Sequence, residues 1–301
     1  MKENKLIKAV KNPLWFFGVV LRHCFSRFMN DRTFIKLDYF SGMGKFPNLE
    51  KPTTYNEKLQ WLKLNDIHPE YSRLVDKYEA KEYVRNILGD EFIIPTLGIW
   101  ESFDEIDFET LPNQFVLKTT HDSGGVVVCS DKSKFDREAA RKKLEKSLKH
   151  NYFYEHREYP YKDIRPRIIA EKYLEDESGY ELKDYKIFCF NGEPKLVEVD
   201  FDRFNGHKRN VYDLNWNLID LIIKFPGDKS RKIEKPIHFD EMLYVAAQLS
   251  KGIPHVRVDL YNVNGKIYFG ELTFFHGSGM EKFDPIEWDY KLGNLIKLPQ
   301  I

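Results

Sequence analysis

Apolar and polar positions alternate most clearly late in the chain, in residues 257–279 (RVDLYNVNGKIYFGELTFFHGSG). Val263-Asn264-Gly265 divides this stretch into two strands of a hairpin, since Asn-Gly favours a tight turn. Earlier segments have a helical period. Residues 54–65 place Thr54 and Glu57 as a capping box, and residues 76–88 predict a helix closed by Gly89. Residues 92–100 read as extended around Pro95, and 102–110 as a short acidic helical turn. Residues 115–118 and 126–129 are apolar strands flanking the small-residue loop Thr119-Thr120-His121-Asp122-Ser123-Gly124-Gly125. A charged helix over 133–149, strands over 167–174, 184–190 and 194–199, and a helix over 238–252 complete the reading.

Asp259 and Glu271 stand among Val258, Leu260, Phe269 and Leu272. A carboxylate in such a setting is costly unless a cation or hydrogen bonds compensate it. Register decides whether the two cooperate. A two-residue turn pairs Val258 with Glu271 and sends Asp259 to the opposite face. A three-residue loop with a bulge at Gly265 pairs Arg257 with Glu271 and Asp259 with Phe269, which makes the two acids diagonal neighbours. The Asn-Gly-Lys order favours the second; the plainer alternative is a pair of solvated edge-strand acids.

Composition narrows the classes. The 301 residues hold 47 Lys plus Arg and 47 Asp plus Glu, so no net field argues for nucleic acid. Three separated cysteines and nine histidines lack zinc spacing and fit a reducing cytoplasm. The apolar run 13–21 is too short to span a bilayer. Its aromatics and the lysines before it leave two readings for residues 1–30, a helix docked on the body or a peripheral membrane contact. The Gly-Gly loop is suited to approach phosphates through backbone N–H groups, with Lys118 as a point charge. Lys118 as an ordinary strand-end charge is the alternative.

The order FVLK-TTHDSGG, IIAEKYLED, DYKIFCFNG, RVDLY and GELTFFHGSGM resembles the ATP-grasp superfamily, and more closely its TupA-like (teichuronopeptide biosynthesis) group. The resemblance implies an α+β ATP-grasp fold, two α+β lobes with a nucleotide cleft between antiparallel sheets, plus an N-terminal helical region. Residues 1–70 would be the helical region and 71–301 the ATP-grasp domain, with a small lobe of about 115–170 and a large lobe of about 171–301. It implies that Lys118, and less directly Lys81, contacts ATP phosphates, and that His121, Ser123, Gly124 and Gly125 belong to a flap. Glu171, Lys172, Tyr173 and Leu174 would form the hinge at the adenine, Asp184 or Glu181 would bind ribose, and Lys186 a phosphate. Asp259 and Glu271 would hold Mg²⁺, with Thr273 where such enzymes usually have Asn, and Arg257 would neutralise the transferred phosphoryl group. Arg203, His276 and Ser278 are the substrate candidates, and Arg165, Arg167, Lys208 and Arg209 offer further positive charge for an anionic acceptor.

The activity implied is amide formation between an amine or amino acid and a carboxylate through an acylphosphate, the carboxylate being a uronic acid of a bacterial surface polysaccharide or its precursor. Two other readings stand beside it. Asp200-Phe201-Asp202 is an Asp-x-Asp triplet of the kind that holds a metal and a nucleotide sugar in glycosyltransferases. A nucleotide-binding module without turnover is the third.

Overall fold

The computed structural model describes residues 11–176, 179, 182–202 and 206–300. Its helices are α1 (Pro13–Val20), which runs into a wide π turn at Leu21–Phe25, α2 (Asp31–Met43), α3 (Tyr55–Asn65), α4 (Tyr71–Val75), α5 (Glu79–Leu88), α6 (Arg137–Leu148), α7 (Phe153–His156), α8 (Phe239–Leu249) and α9 (Glu287–Leu295). The strands are β1 (Thr96–Trp100), β2 (Phe115–Thr119), β3 (Val126–Cys129), β4 (Ile168–Lys172), β5 (Asp184–Phe190), β6 (Glu193–Phe201), β7 (Lys208–Tyr212), β8 (Leu218–Ile219), β9 (Ile222–Ile223), β10 (His255–Val263), β11 (Lys266–Thr273) and β12 (Phe283–Asp284). They form two antiparallel sheets, of order β1-β4-β2-β3 and β11-β10-β5-β6-β7-β8, and the short ribbon β12-β9. No helix among the described residues is long and apolar enough to cross a membrane.

Each sheet has its own apolar core. Phe115, Leu117, Ile168 and Ala170 of the smaller sheet pack with Ala140 and Leu144 of α6. The larger core joins Ile187, Val197, Val199 and Val258 to Met242, Val245 and Ala246 of α8, and to Leu59, Leu74 and Val84 of α3, α4 and α5. Fully burying one such side chain contributes about 1.5–3 kcal/mol, so the helices before the first strand are bound firmly to the larger sheet.

Local sequence explains the helix starts. Thr54 Oγ1 accepts the amide of Glu57, and the Glu57 carboxylate accepts the amides of Thr53 and Thr54, as the capping box predicts. The helix expected over 76–88 begins later. Asp76 spends its carboxylate on the amides of Tyr78 and Glu79, at 2.8 and 3.0 Å, and the helix runs from Glu79.

The late hairpin corrects the expected register. Asn264 and Gly265 both take positive φ, +54° and +88°, in a two-residue turn that pairs Val263 with Lys266. The bulge lies farther along, at Gly270, between the pairs Leu260–Phe269 and Asp259–Glu271. A Cβ at Gly270 would sit 3.0 Å from the Asp259 carbonyl oxygen, so glycine lets the strands close there. Arg257 therefore pairs with Thr273, not Glu271, and Asp259 with Glu271, not Phe269. The mid-strand bulge restores the phase that the tight turn alone would have lost. Both acids reach one face by a route the sequence reading did not anticipate.

Candidate active site

Strand register gathers one set of charged residues on one face of the larger sheet. Asp259 pairs with Glu271 on β11 and with Lys186 on β5, Lys186 pairs with Glu198 on β6, Asp184 with Asp200, and Asp200 with Arg209 on β7. Direct cross-strand partners share a face, as do residues two apart in a strand. Arg257 clamps Asp259 through Nε and Nη2, each at 2.6 Å, and Lys186 holds the same carboxylate at 2.8 Å while also donating to Asp184. Arg209 forks onto Asp200 at 2.7 and 3.1 Å and reaches Glu198 at 2.9 Å. Five carboxylates thus share this face with three cations.

The excess of acid marks the titrations. Burial pushes the Glu198 carboxyl up to about 7 against the pull of Arg209 and Arg257. Burial likewise raises Asp259 despite Arg257 and Lys186. For Glu271 burial acts upward too, but Lys77, Lys186 and Arg257 outweigh it and hold the carboxyl low. Its side chain is 45% exposed to the cleft. Thr273 accepts from Arg257 at 3.1 Å and donates to Glu271 at 3.4 Å, which positions that carboxylate. The donor set is all oxygen, and among the described residues no three or more His, Cys, Asp or Glu side chains converge closely enough to hold a metal ion by themselves. Two acids completed by phosphate oxygens and water fit the habits of Mg²⁺.

The facing wall comes from the smaller sheet. Glu171 on β4 lies between Lys118, at 2.7 Å, and Lys81, at 2.5 Å. Burial would raise its pKa, but the two ammonium groups bring it below the usual carboxylate range. Beyond Lys118, the loop 120–125 is tied down from beneath. Asp122 accepts from Thr119 and Ser147, and Lys77 donates to the Asp122 carbonyl at 2.5 Å. A Cβ at Gly125 would lie 1.8 Å from Thr119 Oγ1, so this buried knot excludes any side chain there. Gly124, at φ +108°, has open space around it.

Two hollows meet at this boundary. The first, 260 Å³, is lined by Lys118, Ser123, Gly124, Asp184, Lys186, Asp259 and Glu271, with Lys77 and Tyr261. The second, 230 Å³, is lined by the bases Arg209, Lys224 and Arg257, by His276, by the acids Glu158 and Glu281, and by Tyr152 and Tyr161. Ser123, Lys186 and Glu271 line both.

The family model for TupA-like ATPgrasp matches residues 57–297, which include both sheets and the charged face. The chain belongs to the TupA-like ATPgrasp family. No curated protein matches it. Among solved structures, D-alanine–D-alanine ligase from Bacillus anthracis with ATP is similar at 13% identity and TM-score 0.38, over 67% of this chain and 54% of that one. The ATP-grasp ligase PsnB with a phosphomimetic precursor variant, Mg and ADP is similar at 13% identity and TM-score 0.43, over 79% and 63%. D-cycloserine synthetase DcsG is similar at 14% identity and TM-score 0.40, over 74% and 69%. The chain spans little more than half the length of the first of these.

Within the TupA-like chain, the structure brings Lys118, Ser123, Gly124, Asp184, Lys186, Asp259 and Glu271 to the first hollow, and Arg257, Thr273, His276 and Ser278 to the second. Other expected site residues lie elsewhere. Lys81 lines neither hollow; its ammonium is spent on Glu171, the Ile94 carbonyl at 2.8 Å and Thr96 Oγ1 at 2.9 Å. His121 is buried, with Nε2 against the carbonyl oxygens of Ser147 and His150, so it anchors the loop to the end of α6 and lines neither hollow. The Lys172 amide donates to the Pro95 carbonyl at 3.0 Å, which commits its N–H to the edge of the smaller sheet. Tyr173 and Leu174 follow β4 and line neither hollow. Glu181 and Arg203 lie outside the described residues. Asp200 and Asp202 of the Asp-x-Asp triplet are paired with Arg209 and Arg231, Arg165 with Glu101, and Arg167 with Asp76 and Glu79.

Sequence reasoning missed Glu158, Glu198, Tyr152, Tyr161, Lys224 and Glu281. Glu198 had a usable signal, since it interrupts the apolar run Leu196-Val197-Glu198-Val199 as Asp259 interrupts its own strand. Glu158, in an irregular segment, had none.

Proposed function

We propose that this chain is an ATP-dependent carboxylate–amine ligase, working in the cytoplasm, with the four-stranded sheet in its small lobe and the six-stranded sheet in its large lobe. The observation that carries the reading is the junction of the two hollows at Lys186 and Glu271, beside the Arg257–Asp259 clamp. A reaction that passes a phosphoryl group between two substrates needs such a junction.

In this reading the ATP phosphates lie in the first hollow, with Lys118, Lys77 and Lys186 around them and the amides at Ser123 and Gly124 above. Asp259 and Glu271 would hold Mg²⁺, which neutralises phosphate oxygens and orients them. Arg257 then faces the group in transfer. The acceptor carboxylate enters the second hollow toward Arg209 and Lys224, and its oxygen attacks the γ-phosphorus as ADP leaves. An amine attacks the resulting acyl carbon, phosphate departs, and an amide remains. The chain supplies position and fixed charge and needs no covalent nucleophile.

The acceptor is a uronic acid of a bacterial surface polysaccharide or its precursor, and the donor an amino acid or other amine. Tyr152 and Tyr161, edge to face at 4.9 Å, support a ring-shaped acceptor carrying hydroxyls, and the nearby cations support its carboxylate. The test is ADP release across a panel of uronic acids and amines, with mass spectrometry of the products. One ADP per amide is the expected result. Nucleotide-sugar binding without ATP binding would transfer the site to glycosyl chemistry, and tight ATP binding with no product from any pair would end the ligase reading.

A further inference from the structure

The ligase reading leaves a second surface unused, at the N-terminal end. The inner side of α1 and its π turn is fixed to the body. A Cβ at Gly18 would lie 2.5 Å from Ser41 Oγ, Arg22 pairs with Asp38 at 2.7 Å, and Arg157 donates to the carbonyl oxygens of Ser26 and Met29. These contacts decide what faces outward. Phe16, Phe25 and Phe28 are 50%, 52% and 86% exposed there, with Phe17 beside them. Gly44 packs toward Leu14 of α1, so exposed Lys45 and Phe46 adjoin the same surface. Single exposed apolar residues are ordinary; four exposed phenylalanines within residues 16–28 are not.

Charge identifies the occupant. The described residues 11–30 contain Lys11, Arg22 and Arg27 and no Asp or Glu. Of the acids that follow, Asp38 is buried against Arg22 and His156, while Asp31 is half-exposed but paired with Arg157 at 2.7 Å. A second copy would bring the same positive face and be repelled. Aromatic rings beside exposed Lys11, Arg27 and Lys45, with the nearby acids Asp31, Asp38 and Glu155 each paired to an arginine, match an anionic headgroup layer, where rings enter the acyl boundary and bases meet phosphates. We infer that this N-terminal face docks on the surface of an anionic phospholipid bilayer. The segment that receives it extends to Glu158, so the docked face and the second hollow share one short stretch of chain.

Co-sedimentation of the full chain, without ATP, with phosphatidylcholine vesicles lacking or containing phosphatidylglycerol tests this independently of turnover. The protein should pellet with the anionic vesicles only and be released by salt. Phe28→Ser should weaken partitioning, Phe25→Ser with Phe28→Ser should weaken it further, and Arg27→Glu should cost roughly fivefold per unit of charge changed. Circular dichroism and melting check that each variant is folded, which the exposure of Phe28 favours. No pelleting, equal pelleting with neutral vesicles, or binding undiminished in folded Phe28→Ser and Arg27→Glu variants would overturn the inference. Self-association abolished by Phe28→Ser, with no vesicle binding, would assign the face to a second copy and overturn it equally.

Discussion

The two hollows are built from different kinds of sequence. The first takes its chemistry from strands. Lys186, Asp259 and Glu271 meet because β5, β10 and β11 pair in register, and Lys118 ends a strand that leads into the glycine loop. The second is assembled from irregular chain. Ser278 donates to Glu158 at 2.6 Å, while its carbonyl accepts from Gln60 and Lys63 of α3 at 2.9 Å each, so three distant segments make one wall. Periodicity exposes an acid in an apolar strand. It is silent about a loop whose partners lie elsewhere in the chain.

The sharpest way to test that contrast is to remove the group both hollows share. Glu271→Gln keeps the size of a half-exposed side chain and its bond from Thr273, so the melting temperature should hardly move. Turnover should fall by on the order of 10²–10³-fold or more, because a carboxylate that would hold Mg²⁺ at the transferred group is lost. Unchanged ADP release would remove Glu271 from the site. Lys118→Ala acts on the first hollow alone and should weaken ATP binding about tenfold, or about 1.4 kcal/mol, by titration calorimetry. Glu171 keeps Lys81 as its partner in that variant. Equal affinity would leave Lys118 as a strand-end charge.

What could be read beforehand follows the same division. The capping box at Thr54 and Glu57, the glycine closing α5 and the strands around the loop 120–125 depend on neighbours in sequence, and the structure has them. The hairpin was recognisable, yet its turn was misjudged because Gly270 supplies the bulge from the middle of a strand. His121 sits in a loop with every mark of a phosphate flap, but its ring is held by carbonyl oxygens at the end of α6, which no local pattern announces. Lys81 and Lys118 are alike as sequence features. Only the fold shows that Lys118 lines the hollow while Lys81 supports Glu171 from behind.

The second hollow can be perturbed alone at Glu158. Burial raises its carboxyl pKa, while Lys63 and the Ser278 hydroxyl pull the other way. Glu158→Gln keeps an acceptor for Ser278 but removes the negative charge that would receive an amine. The KM for the amine should rise about tenfold, worth about 1.4 kcal/mol of binding, while the KM for ATP stays constant. A parallel rise in both would mean that the hollows are not separate in function.

An effect on stability, not on turnover, lies behind that wall, at Lys63. Burial lowers its pKa to about 8 from 10.5, against the opposing pull of Glu158 and Asp38. A base depressed in the folded state carries its full penalty below the folded pKa. Between pH 8 and 10.5 the folded chain has released this proton while the unfolded chain still binds it, so stability should rise with pH in that window. The slope from one proton cannot exceed about 1.4 kcal/mol per pH unit. Other lysines, cysteines and tyrosines titrate there as well, so the informative quantity is the difference between wild type and Lys63→Met in denaturant unfolding. Wild type should gain on the variant as pH rises through the window. A constant difference would mean that Lys63 keeps an ordinary pKa and that α3 supports the second hollow only through the hydrogen bonds of Gln60 and Lys63 to the Ser278 carbonyl.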